Sequence, residues 1–121
     1  MKLNPFSSRA SKGQQAEALA RHYLEAHGLR FIEQNFNSRY GEIDLIMQHH
    51  DTLVFVEVRY RKNQDYGGAG ASITPRKQNR IRNTALFYMQ KKNHEFNARF
   101  DVIAISSEHG QADIDWIQNA F

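Results

Sequence analysis

Leu53-Val54-Phe55-Val56-Glu57-Val58-Arg59-Tyr60-Arg61 alternates with a period of two and carries the strongest strand signature in the chain. Val54, Val56, Val58 and Tyr60 share one face; Leu53, Phe55, Glu57, Arg59 and Arg61 share the other. Its first half is apolar on both faces, which predicts a position inside a sheet. Immediately before it, His49-His50-Asp51-Thr52 reads as a turn. Upstream of the turn, Gly41 opens a strand in which Ile43, Leu45 and Met47 face one way and Glu42, Asp44 and Ile46 the other. Strands joined this tightly pair antiparallel. A turn centred between His50 and Asp51 sets Asp44 opposite Glu57 on a shared face.

The rest of the chain assembles around that hairpin. Ala16, Leu19, Ala20, Tyr23, Leu24 and His27 recur at spacings of three and four, predicting a helix from Gly13, with Ser11 as N-cap and Gly28 as a left-handed terminator. Leu29 to Phe36 reads as a first strand. Lys62 to Ser72, with Gly67, Gly68 and Gly70, reads as a loop and connector. Thr74-Pro75 caps a second helix whose stripe is Ile81, Ala85, Tyr88 and Met89. Arg99 to Ser106 and Ala112 to Gln118 read as strands about a turn at His109-Gly110. The order is α-β-β-β-α-β-β. Its long third connection suits a parallel crossover, giving an α/β fold with a mixed sheet and helices packed on it. Residues 1–12 read as a flexible arm and residues 13–121 as one domain, consistent with 121 residues against about 150 per domain.

Composition excludes several classes. The chain has no cysteine, which removes disulfides, zinc–thiolate sites and thiol nucleophiles. Its longest apolar run, Ala85–Met89, is far short of the roughly 20 residues of a membrane helix. The start has no apolar signal-like run, so the expected location is cytoplasmic, with no membrane partner. No Gly-Lys-Ser/Thr follows the glycines of the loop, which argues against an ATPase-type phosphate loop.

Two acids on adjacent strands are costly to bury unpaired. A divalent cation resolves that cost, because Mg²⁺ takes one or two carboxylates together with water and phosphate oxygens. The plain alternative is an ion pair of Asp44 or Glu57 with Arg59 or Arg61. The formal net charge is only +3 but is unevenly spread: residues 59–92 hold nine basic residues and one acid, +8, leaving −5 elsewhere. The basic residues there are Arg59, Arg61, Lys62, Arg76, Lys77, Arg80, Arg82, Lys91 and Lys92. The crossover brings the start of the second helix, with Arg76, Lys77 and Arg80, beside Glu57 and Arg59. Such a patch next to two carboxylates suits a polyanionic backbone, and the helix N-terminus adds to it. A solvated basic helix face is the plain alternative here. Tyr60 and Tyr66 lie near the patch, but ordinary packing is their simpler role, as it is for Trp116. Asp113 and Asp115 read as the solvent face of the last strand.

Several blocks in this order are similar to the YraN family of bacterial proteins. They are Gly13-x-x-x-Glu17-x-x-Ala20-x-x-Tyr23-Leu24, Asn35 with Gly41-Glu42-Ile43-Asp44-Leu45-Ile46, and Val54-Phe55-Val56-Glu57-Val58-Arg59-Tyr60-Arg61. Lys77 with Arg80-Ile81, Arg99-Phe100-Asp101-Val102 and Asn119-Ala120-Phe121 complete the set, which covers roughly residues 13–121. That family resembles the PD-(D/E)xK nuclease superfamily, which includes Holliday-junction resolvases. The resemblance implies a restriction-endonuclease-like three-layer core. It also implies Mg²⁺ or Mn²⁺ on Asp44 and Glu57, with the Val58 carbonyl as a further ligand. Glu17 corresponds to an extra acid that some resolvase-like members place near the metal; a surface pair with Arg21 at i+4 is its plain alternative.

The superfamily's lysine, two residues after the second acid, is Arg59 here. Arginine stays protonated and cannot act as a base, although it can stabilise developing negative charge. Lys77 can supply an ammonium from the helix start instead. The leading expectation is therefore a nucleic-acid-binding protein, a Mg²⁺-dependent endonuclease acting on branched or structured DNA. Asp44, Glu57, Arg59, Lys77 and Glu17 would be at the catalytic centre, with Arg59, Arg61, Lys62, Arg76, Lys77 and Arg80 on the nucleic acid. Paired-strand cleavage would favour a homodimer. A non-catalytic DNA- or RNA-binding module and a protein-interaction module are the alternatives.

Overall fold

The structure is a computed structural model that describes residues 11–61, 73–93, 97–108 and 110–121. The expected arm up to Ala10, Lys62, Tyr66, the glycines at 67, 68 and 70, and His109 lie outside the described residues. The elements are α1 (Lys12–Ala26), β1 (Arg30–Ser38), β2 (Gly41–His49), β3 (Thr52–Arg61), α2 (Pro75–Lys91), β4 (Asn97–Glu108) and β5 (Gln111–Ile117). This is the order expected from the sequence, in an α/β fold, with boundaries shifted by one or two residues.

The five strands lie in the order β1-β2-β3-β4-β5. β3 and β4 run parallel, and every other neighbouring pair is antiparallel. A helix covers each face. Ala16, Ala20 and Leu24 of α1 pack on Leu45, Met47, Val54, Val56, Ile103 and Ile105. Ile81, Ala85 and Tyr88 of α2 pack on Phe36, Ile43, Ile46, Leu53 and Phe55. The alternation of β3 thus feeds two cores, and Phe55 is nearly fully buried on the α2 side. Both helices start where the sequence places caps. Ser11 accepts from the Gln14 N–H in a reciprocal capping box, and Thr74 accepts from the Lys77 N–H with Pro75 in the first turn. Gly28 closes α1 at φ 91°, as expected.

One facing expectation is corrected. Ile43 does not share a face with Leu45 and Met47 but packs with Ile46 in the core under α2. The reason lies across the β1–β2 ladder. Gln34 pairs with Leu45 and Phe36 with Ile43, while Asn35 between them takes the left-handed region at φ 53°. The register is the same on both sides of that residue, so the two strands change phase together beside Asp44, while the bulge of this ladder lies between Phe31 and Glu33. Among the described residues, no helix is long and apolar enough to cross a membrane.

Candidate active site at the strand fork

The β2–β3 ladder runs from His49↔Thr52 to Leu45↔Val56 and ends there. Beyond it, β2 continues against β1 down to Gly41, and β3 continues against β4 up to Arg61. The two strands diverge at Asp44 and Glu57, the next facing pair of the same register. Sequence reasoning placed these acids opposite one another, and the register does the same. The fork frees the Val58 N–H from the ladder, and it donates to Asp44 Oδ2 at 2.9 Å. The fork also makes room for side chains from both helices.

From α2, Lys77 Nζ lies 3.0 Å from Glu57 Oε1, with the Glu57 side chain only 7% exposed and that of Lys77 43% exposed. Among the described residues, the cation paired with Glu57 is thus Lys77, from the next helix. From α1, Glu17 is half-buried; the Asn35 side-chain amide favours its charged form, and the charges of Glu42 and Glu57 oppose it. Glu17, Glu42 and Asp44 offer carboxylate oxygens that all lie within 4.8 Å of one another. The Arg21 pairing considered for Glu17 goes elsewhere: Arg21 Nε sits 3.4 Å from Glu25 Oε1, with its guanidinium over the Phe31 ring.

The electrostatics follow from this crowding. Burial first, then the adjacent Glu57 charge, push the Asp44 carboxyl from its ordinary 3.8 up to about 8. The Val58 N–H opposes that shift, while Glu17 and a hydrogen bond with Glu57 add to it. Burial also raises Glu17, against the Asn35 hydrogen bond. Without a cation the site therefore holds a proton between like-charged groups. All the crowded donors are carboxylate oxygens, hard ligands of the kind Mg²⁺ and Mn²⁺ take.

Gly41, Glu42, Asp44, Glu57, Lys77, Arg80 and Ile81 line a cavity of about 270 Å³ at the fork. The backbone favours glycine at Gly41, whose φ is +149°; a Cβ there would make only ordinary contacts, 3.5 Å from Arg80 Cβ and 3.6 Å from Thr84 Oγ1. The β1–β2 turn is tied to α2 by Ser38, whose hydroxyl lies 3.3 Å from that of Thr84.

Among the expected site residues, the fold brings Asp44, Glu57, Lys77, Arg80 and Glu17 together. Arg59 is half-buried two residues beyond Glu57, whereas Arg61 and Arg76 are exposed and do not line the cavity. Val58 contributes its N–H to Asp44 here. Two contributors went unassigned in the sequence, Glu42 and Asn35. The Glu42-x-Asp44 spacing on one strand face was the available signal for the first. The Asn35 contact depends on a left-handed backbone that its sequence neighbours do not announce.

The family model described as "Uncharacterised protein family UPF0102" matches residues 16–105. The chain belongs to this family. It is the YraN family that the sequence blocks resemble. A UPF0102 protein of Colwellia psychrerythraea is 48% identical over 118 residues, covering 95% of this chain and 92% of the relative. One from Nitrosomonas eutropha is 50% identical, covering 96% and 97%. One from Psychromonas ingrahamii is 54% identical, covering 92% and 89%.

Proposed function

We propose that this UPF0102 protein is a metal-dependent endonuclease that binds nucleic acid across the fork and hydrolyses a phosphodiester bond there. One observation carries the reading: Asp44 and Glu57 meet at a strand fork with Asp44 held far above its ordinary value, beside Lys77 and Arg80. Buried acids that repel one another are poor scaffolding but a good cation site.

Asp44 and Glu57 would hold Mg²⁺ or Mn²⁺, with Glu42 and Glu17 as the further carboxylates beside Asp44. The cation would supply an activated water and neutralise charge on the phosphoryl oxygens. The chain's own groups do the rest. The Val58 N–H orients Asp44, and Lys77, braced on Glu57, presents its ammonium where negative charge develops. Arg80 and the N-terminal end of α2 attract the phosphate, while Arg59, Arg61 and Arg76 extend the basic track along the backbone. Lys77 supplies from the helix the ammonium that Arg59, always protonated, matches only in charge.

The test is a panel of nicked, forked and branched DNA incubated with Mg²⁺ or Mn²⁺. Cleavage is expected and disappears in Asp44→Asn; cleavage that survives this change refutes the assignment. Arg59 supports a second reading, a binding module that keeps the fold without turnover. That reading requires salt-sensitive binding that needs no cation and survives Glu57→Gln, and cleavage gained by Arg59→Lys would locate the missing group.

A further inference from the structure

The outer face of α2 carries a second cavity that the chemistry above does not use. It measures about 220 Å³ and is lined by Tyr40, Asn83, Leu86, Phe87 and Gln90. Leu86 is 53% exposed and Phe87 38%, and they are the large apolar side chains left in solvent among the described residues. Tyr40, at the β1–β2 turn, faces Phe87 edge-on with ring centroids 6.3 Å apart. Arg39 donates to the Tyr40 hydroxyl at 2.8 Å and sets its guanidinium 5.0 Å from the same ring.

Position along α2 connects this pocket to the fork. Arg76, Arg80, Asn83, Phe87 and Gln90 recur at spacings of three and four and form one stripe. Arg80 lines the fork cavity and Phe87 the second one, with about 10 Å of helix rise between them. That is about three stacked nucleotide steps, or fewer if the strand is stretched. Residues 73–93 carry Arg76, Lys77, Arg80, Arg82, Lys91 and Lys92 and no acid, so the stripe favours a polyanion over an apolar protein surface.

Resting on the endonuclease reading, we infer that the Tyr40–Phe87 pocket is a base-stacking subsite for one unpaired nucleotide of the strand whose phosphate occupies the fork. Phe87, Tyr40 and Leu86 offer the apolar and π surface on which a base lies. Asn83 and Gln90 each present both a donor and an acceptor to its edge, so the pocket accepts any base. The volume is below the roughly 300–1,000 Å³ of drug-sized pockets and suits a single ring system. A fully paired duplex keeps its bases stacked and cannot fill it. The preferred substrate is therefore a single-stranded arm, gap or branch.

Affinity measured with EDTA present, at low salt, tests this on three labelled DNAs: a fork with an unpaired arm, the same fork with abasic sites in the arm, and a blunt duplex. The wild type should bind the intact fork most tightly. Phe87→Ala should weaken the intact fork by about 5- to 150-fold, leave the other two probes unchanged and stay folded at the assay temperature, with a lower melting temperature because Phe87 also packs on Phe36. Phe87→Tyr should retain the preference, and Leu86→Ser should lose part of it. Equal loss on all three probes, or no loss, overturns the subsite. So does a Phe87→Ala protein that sediments as a monomer where the wild type is a dimer, because the patch is then a contact between copies. A wild type that binds and cleaves but ignores Phe87→Ala overturns the subsite alone. One that binds no probe overturns the nuclease reading with it.

Discussion

The protein buries carboxylates on central strands in two places and treats them in opposite ways. Asp101 on β4 has no exposed surface. Arg99 Nε reaches its Oδ1 at 3.0 Å and Arg99 Nη2 its Oδ2 at 3.0 Å. The Trp116 indole N–H donates to Oδ2 at 2.9 Å and the Asn119 N–H to Oδ1 at 3.1 Å. Every face of that acid meets a donor. At the fork, among the described residues, Asp44 receives the Val58 N–H and is crowded by the charges of Glu57 and Glu17, with Lys77 and Arg80 lining the same cavity. The same fold thus satisfies Asp101 with four donor groups and leaves Asp44 among like charges, and that difference is what the proposed function explains. The contrast separates an acid saturated with donors at the sheet end from acids that crowd one another, the arrangement on which the proposed cation site rests.

The largest expected effect breaks the satisfied site. Asp101→Ala strands the Arg99 guanidinium, whose side chain is 15% exposed, and removes the anchor for Asn119. It should cost about 3–5 kcal/mol in urea unfolding. A loss under about 1 kcal/mol would mean the network is no more than a surface pair, and the contrast with the fork would fail.

At the fork the sign reverses. Removing a repelled carboxylate, Asp44→Asn, should stabilise the cation-free protein by about 1–2 kcal/mol at pH 8. The pH dependence follows from the same cause. Asp44 titrates near 3.8 when unfolded and near 8 when folded, so the folded state holds the extra proton between those values. Stability of the cation-free protein should therefore fall as pH rises from about 4 to about 8, and level off above. Asp44→Asn should flatten that slope. Saturating Mg²⁺ should raise the wild-type melting temperature more at pH 8 than at pH 6, and leave Asp44→Asn nearly unmoved. An equal Mg²⁺ response in both proteins would place the cation elsewhere.

Much of this contrast was legible in the residues. Alternation in Leu53–Arg61 and the short turn before it fix the Asp44–Glu57 register, since a period of two and a tight turn leave one pairing that buries both apolar sets. The cap at Thr74-Pro75 and the charge split likewise located the basic helix start. The Ile43 facing was not legible, because it depends on the left-handed Asn35 in a neighbouring strand. Nor was the Asp101 network. Arg99-Phe100-Asp101 and Asn119-Ala120-Phe121 stood out only as blocks of a resemblance. Their pairing, with Asn119 on Asp101 and Phe121 stacked on Phe100 at 5.2 Å, is a long-range contact that local pattern does not encode. Lys77 was proposed from topology, but its hydrogen-bond distance to Glu57 needed three dimensions.

The smallest expected stability effect is the most informative about how Lys77 works. Its side chain is 43% exposed, so solvent screens its pair with Glu57, and Lys77→Met should cost less than about 1 kcal/mol at pH 7. Two roles then diverge. If Lys77 mainly neutralises Glu57 as part of the scaffold, the variant should unfold earlier and still cleave. If Lys77 occupies the phosphate side of the fork, Lys77→Met should free Glu57 for a cation, tightening Mg²⁺ binding, while cleavage of a forked DNA falls by about 100-fold or more. Lys77→Arg keeps the charge but not the compact ammonium and should restore DNA affinity before it restores turnover. Tighter Mg²⁺ binding together with lost cleavage would set the fork fully apart from the Asp101 site, where no single change should improve anything.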